Sequence, residues 1–133
     1  MLKILIVEDS AAFRDSLKEF LLTRLASVIV EEASNGGEAI RKVNTFYPHL
    51  IFMDIHLPGE NGLRLTRRIK TDHSRIPIII FTSYDLQEYR NAALKAGADH
   101  FVPKELCTGK EILALVESIL LDQGLDHEDQ TPQ

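Results

Sequence analysis

Apolar runs of strand length, each cut off by a polar residue, alternate along this chain with longer amphipathic segments. LKILIV precedes Glu8 and Asp9, LIFM precedes Asp54, IIIF precedes Thr82 and HFVP precedes Lys104; a further run is Val28-Ile29-Val30. Unbroken apolar runs, rather than alternating ones, suit strands covered on both faces. Between them, apolar residues recur at helical spacing. Ser10 is placed to cap a helix carrying Phe13, Leu17, Phe20, Leu21 and Leu25. After a turn at Asn35-Gly36-Gly37, residues 38–46 put Ala39, Ile40 and Val43 on one side and stop near Pro48. A breaker-rich loop over 56–62 leads to a helix over 63–71 with Leu65 and Ile69 inward. Asp85 is the expected cap of a helix running to Lys95, ended by Gly97. Residues 111–121 align Ile112, Leu115, Val116 and Ile119. Five strand–helix units joined by short connections predict an α/β fold, a doubly wound five-stranded parallel sheet.

In such a sheet the ligand crevice lies at the carboxyl ends of the strands. Glu8, Asp9, Asp54, Thr82 and Lys104 all fall at that edge. Acids ending the first and third strands meet only if those strands are neighbours, which predicts the flavodoxin-like order 2-1-3-4-5. Alone, Asp54 reads as a turn aspartate, Thr82 as a β-former and Lys104 as a solvated lysine. Together they read otherwise. Clustered carboxylates repel, and a hard divalent cation relieves them. Mg²⁺ typically takes one or two carboxylates, waters and phosphate oxygens. Asp9, Asp54 and one backbone carbonyl of the next loop suffice as protein ligands, with Glu8 acting at longer reach or through water. An aspartate beside such an ion can attack phosphorus, and Lys104, the Thr82 hydroxyl and nearby N–H groups can neutralise phosphoryl oxygens.

The chain has 133 residues, 44% hydrophobic and 26% charged, which favours one domain over residues 1–121. Net charge is −5, and Asp122, Asp126, Glu128 and Asp129 supply most of it. Residues 122–133 therefore read as an acidic tail or the start of a linker, and the near-neutral body gives no electrostatic case for nucleic acid. No run approaches the ~20 apolar residues that span a bilayer, and the single cysteine, Cys107, suits a reducing compartment. A cytoplasmic location with no membrane contact is the expectation. Cys107 itself reads as a small, half-buried filler near a helix start.

MLKILIVEDS, LIFMDIHLPGENG, PIIIFTS and AGADHFVPK together resemble the receiver domain of two-component response regulators, the CheY-like fold, over about residues 2–121. The resemblance implies that Asp54 accepts a phosphoryl group from the phosphohistidine of a sensor histidine kinase or phosphotransfer protein. It implies Mg²⁺ held by Asp9, Asp54 and the His56 backbone carbonyl beside Glu8, and Lys104 on the phosphoryl group. Thr82 and Phe101 would be the switch residues. The domain would promote its own phosphorylation and dephosphorylation without turning over an outside substrate. A downstream effector would dock on the face of the fourth helix, fifth strand and last helix, with a homodimer possible.

One departure stands out. The family commonly has proline directly after the lysine, often through a cis bond; here Pro103 precedes Lys104 and Glu105 follows it. The expectation is that Val102–Pro103 or Lys104–Glu105 takes over that turn. His56 and Tyr84, each two residues beyond a site residue, are expected at the mouth, hindering water. The basic stretch Arg64, Arg67, Arg68 and Lys70 reads as a solvated helix face.

Two other readings stay open. A pseudo-receiver interaction module would keep the fold without taking phosphate. A dehalogenase-type Mg²⁺-dependent phosphatase would want a second aspartate where His56 stands.

Overall fold

The computed structural model describes residues 1–105 and 107–124. Its elements are β1 (Leu2–Val7), α1 (Ala11–Arg24), β2 (Val28–Ala33), α2 (Gly36–Phe46), β3 (Leu50–Met53), β4 (His56–Leu57), β5 (Glu60–Asn61), α3 (Gly62–Asp72), β6 (Ile78–Thr82), α4 (Gln87–Ala96), β7 (His100–Pro103) and α5 (Gly109–Asp122). The main sheet is parallel in the order β2-β1-β3-β6-β7. Counting only its own strands, that is the expected 2-1-3-4-5.

The continuous apolar runs have a direct cause. Successive side chains point to opposite faces, and both faces are covered. Leu5, Val7, Ile51, Met53, Ile78 and Ile80 pack with residues of α2, α3 and α4. Ile4, Ile6, Leu50, Phe52, Ile79 and Phe81 pack with α1 and α5.

Several boundaries differ from the sequence reading. β2 runs on through Glu31 and Glu32 to Ala33, paired with β1 up to Val7↔Ala33. Cations make this possible: Arg14 and Lys18 each bind Glu32 at 3.1 Å, and Lys42 binds Glu31 at 3.3 Å. α2 begins at Gly36, so Asn35 is a helix cap, its side chain accepting from the Glu38 N–H. Asp85 does not cap α4. Leu86 holds that position without a side-chain bond, and Asp85 pairs with Arg90 at 2.8 Å. Gly97 ends α4 with φ 96°, as expected. α5 starts at Gly109 behind a Thr108–Glu111 capping box. Cys107 is half-buried beside it, and burial, with Glu111 nearby, pushes its thiol up. Of the expected tail, only Asp122–Gly124 falls within the described residues.

The 56–62 loop holds a small hairpin. β4 and β5 pair antiparallel around Pro58-Gly59, with Gly59 at φ 71°. Pro followed by a glycine at positive φ is the pair a type II turn takes.

At the opposite edge, the Lys3 N–H donates to His49 Nδ1 at 2.9 Å, which requires a neutral ring. Burial, then the charges of Lys3 and the N-terminus, lower the His49 pKa below its ordinary 6.5. A lowered histidine contributes stability that is present above the unfolded value and lost as pH falls from there through the lower folded one. Urea midpoints should therefore drop between pH 7.5 and 5.5. His49→Asn, whose Oδ1 can accept the same bond, should remove that part of the drop; an identical pH profile in the variant would refute the assignment.

Candidate functional site

β1 and β3 are adjacent, and the residues directly after them are the acids. The Glu8 N–H donates to Ala33 O at 2.9 Å and the Asp54 N–H to Val7 O at 3.0 Å, so both backbones remain tied to the sheet as it ends. Carboxylate oxygens of Glu8, Asp9 and Asp54 all lie within 4.8 Å of one another. Glu8 and Asp54 are buried while Asp9 is exposed. Oxygens from three acids, two of them shielded from water, form a donor set that fits a hard divalent cation.

The acids are held from several sides. Glu8 accepts from the Ser10 N–H at 3.0 Å and from Lys104, while Arg14 donates to the Glu8 carbonyl at 2.7 Å. Burial pushes the Glu8 carboxyl up, the Lys104 and Ser10 bonds oppose this, and the Asp54 charge adds to it. Asp54 Oδ1 accepts from the Ile55 N–H at 2.8 Å, and Oδ2 lies 3.5 Å from Lys104 Nζ. One ammonium therefore bridges both buried carboxylates.

Lys104 follows β7, and its N–H donates to Thr82 O at 2.8 Å. Alternate residues of a strand bond the same neighbour, so the missing N–H of Pro103 falls on the open edge of the sheet. That is why proline is tolerated before the lysine. Every peptide bond among the described residues is trans, including Val102–Pro103 and Lys104–Glu105.

Thr82 is fully buried at the end of β6, and its hydroxyl accepts from the Tyr84 N–H at 3.3 Å. Phe101 lies opposite Ile80, partly buried, with the Arg90 guanidinium 4.8 Å from its ring centroid. His56 is exposed; its ring packs tilted against Tyr84 with centroids 4.2 Å apart and lies edge-on to Tyr89 at 6.0 Å.

Three participants went unread in the sequence. Arg14 pins the Glu8 carbonyl. Gly62 donates to Ile55 O at 2.6 Å and packs against the Asp54 backbone. Phe13 presents its ring to Lys104, with the ammonium 4.0 Å from the centroid. The one available signal for Phe13 was its place in the first turn after the acidic pair; helical spacing marked it only as inward-facing.

Comparisons with known proteins agree with this fold. The family profile of the response regulator receiver domain matches residues 4–117. The response regulator MprA of Mycobacterium leprae (strain TN) is 34% identical over 119 residues, covering 90% of this chain and 51% of its own. A protein-glutamate methylesterase/protein-glutamine glutaminase of Pseudoalteromonas atlantica is 35% identical over 122 residues, covering 87% of this chain and 32% of its own. The chain thus spans about half the length of the first of these relatives and about a third of the second. The crystal structure of a CheY-like response regulator receiver domain protein from Methanospirillum hungatei JF-1 superposes with TM-score 0.86 at 29% identity, covering 93% of this chain and 97% of that one. The order of the sheet, the acids gathered at its carboxyl edge and the match over residues 4–117 lead to one conclusion: the chain belongs to the receiver domain family of two-component response regulators.

Proposed function

We propose that the chain is a phosphoacceptor switch in which Asp54 takes the phosphoryl group. The carrying observation is the Asp54 carboxylate itself, grouped with Glu8 and Asp9 and 3.5 Å from Lys104. In the step, an Asp54 oxygen forms a bond to phosphorus while the bond to the donor's leaving atom breaks. The leaving group, an imidazole when the donor is a phosphohistidine, departs with that electron pair. Asp9, Asp54 and the His56 carbonyl, with Glu8 behind them, would hold Mg²⁺, which supplies charge neutralisation for the phosphoryl oxygens. Lys104 exchanges its Glu8 contact for a phosphoryl oxygen. The Thr82 hydroxyl, which accepts from the Tyr84 N–H in this structure, donates a hydrogen bond to another.

New charge at Asp54 then biases the domain between two arrangements, as a phosphoryl group does elsewhere. Thr82 and Phe101 are the residues placed to move: one ends β6, the other lies on neighbouring β7 against α4. The output surface is therefore the α4–β7–α5 face, for an effector or a second copy. A sensor histidine kinase or phosphotransfer protein is the donor, and the cell interior is the setting. No helix among the described residues is long and apolar enough to cross a membrane.

The test is incubation with acetyl phosphate, with and without Mg²⁺, followed by intact mass. One hydroxylamine-labile phosphoryl group per chain, dependent on Mg²⁺ and without continued turnover of the ester, is the expected result. No uptake would leave a pseudo-receiver; sustained hydrolysis would make it a phosphatase.

The packed His56 and Tyr84 rings predict a further property. They restrict the approach of water to the acyl phosphate. Replacing both with alanine should shorten its lifetime roughly fivefold, about 1 kcal/mol of barrier. An unchanged decay rate would refute the restriction.

A further inference from the structure

We infer that Phe13 is a positioning residue for Lys104, setting the direction from which its ammonium meets a phosphoryl group on Asp54. The inference rests on the phosphoacceptor reading and adds a residue outside the charged set.

Lys104 has a long, flexible stem, and holding it in one geometry opposes considerable rotamer freedom. The hold of the acidic side depends in part on the charge that Asp54 carries, and a phosphoryl group there would redistribute it. The attraction of the uncharged Phe13 ring does not depend on that charge. The ring faces the ammonium at 4.0 Å from its centroid, and the lysine side chain is only 12% exposed. A cation over an aromatic face is attracted by the ring quadrupole, more strongly as water is withdrawn.

Phe13 is itself fixed at both ends. Its N–H donates to the capping Ser10 hydroxyl at 3.3 Å. Its ring lies 5.4 Å from Phe81, which lies 5.8 Å from Phe52. Both of those are buried in the α1–α5 core. A column of three rings thus runs from the sheet interior to the ammonium. On the backbone side Lys104 has one strand-type bond, to Thr82 O. The aromatic column restrains the far end of the side chain. A leucine would fill much of the same space without offering a negative face, so packing and electrostatics can be separated.

The experiment replaces Phe13 with mono-, di- and trifluorophenylalanine, and separately with Leu, in the full chain. Acetyl phosphate uptake is followed with Mg²⁺ present, thermal melting is recorded, and the Lys104 ε-methylene protons are assigned by NMR. The expected rates fall stepwise with fluorination, about tenfold overall, with melting unchanged, because fluorination weakens the ring face and keeps its shape. Phe13→Leu matches the slowest member. The Lys104 ε-methylene protons resonate upfield in the native chain, under the ring current, and return toward free lysine in Phe13→Leu. Equal rates across the fluorinated series overturn the inference whatever the resonances show. Should the native chain take up no phosphoryl group, the phosphoacceptor reading falls, and the Lys104 resonances alone decide: a free-lysine position in the native chain overturns the Phe13 contact as well.

Discussion

Asp54→Asn is expected to leave a folded chain that takes up no phosphoryl group. Asparagine keeps the shape of the side chain and an Oδ1 that can still accept the Ile55 N–H, now at 2.8 Å. It loses the charge and the nucleophilic oxygen. The effect on stability is small because two changes oppose each other. The Lys104 contact at 3.5 Å is weakened, but Lys104 keeps Glu8. At the same time the repulsion that helps raise the Glu8 carboxyl disappears. The balance should stay within about 1 kcal/mol of the native chain. Intact mass after acetyl phosphate and Mg²⁺, beside a thermal melt, checks both halves. Phosphate on the asparagine variant would move the acceptor to another carboxylate, with exposed Asp9 the first to examine.

The resting site is an electrostatic compromise. Three carboxylates converge, and one ammonium spans the two that are buried. Were Glu8 and Asp54 left without Lys104, each would be a desolvated charge beside a like charge, a costly arrangement. Lys104 therefore stabilises the acidic cluster by spanning its two buried members.

The centre of the sheet was legible because β1, β3 and β6 are buried on both faces and so read as nearly unbroken apolar runs. β2 was read short for the same reason in reverse. Glu31 and Glu32 look like a strand end, and only partners far along the chain, Arg14, Lys18 and Lys42, make them part of the ladder. The β4–β5 hairpin was invisible to periodicity, since strands of two residues have none. Asp85 has the right chemistry for a cap, but the helix starts later and the side chain finds Arg90 instead. The site members at strand ends, Glu8, Asp9, Asp54, Thr82 and Lys104, were readable because strand ends are fixed by topology. Members elsewhere were not. The Phe13 ring and the Gly62 backbone act through proximity, and proximity across the fold leaves little trace in local sequence.

Gly59 and Gly62, three residues apart on either side of β5, separate two reasons for a glycine. Gly59 has φ 71°, with nothing within 4 Å of a Cβ placed there. Alanine at 59 meets open space and bears only the left-handed backbone, about 1 kcal/mol. Gly62 is the opposite case. A Cβ there would run into the Asp54 carbonyl oxygen, 2.8 Å from its carbon and 2.9 Å from Ile55 Cα. Those atoms are backbone, tied to the sheet through Asp54 N to Val7 O and to Gly62 itself through Ile55 O. They cannot move aside as a flexible side chain would. Gly62→Ala must therefore push the start of α3 away from β3 or displace Asp54. The first loses packing of Leu65 and Ile69, both buried in the core; the second moves the Asp54 carboxylate relative to Glu8 and Lys104. A destabilisation of about 3 kcal/mol is expected. Phosphoryl uptake should slow by up to roughly a hundredfold, the penalty of misplacing a reacting group by about 1 Å. Gly59→Ala should take up phosphate at the native rate. Denaturant melts and uptake rates of the two variants, run side by side, test the distinction. If Gly62→Ala proves as stable and as quick as Gly59→Ala, then α3 is not what holds Asp54 in place.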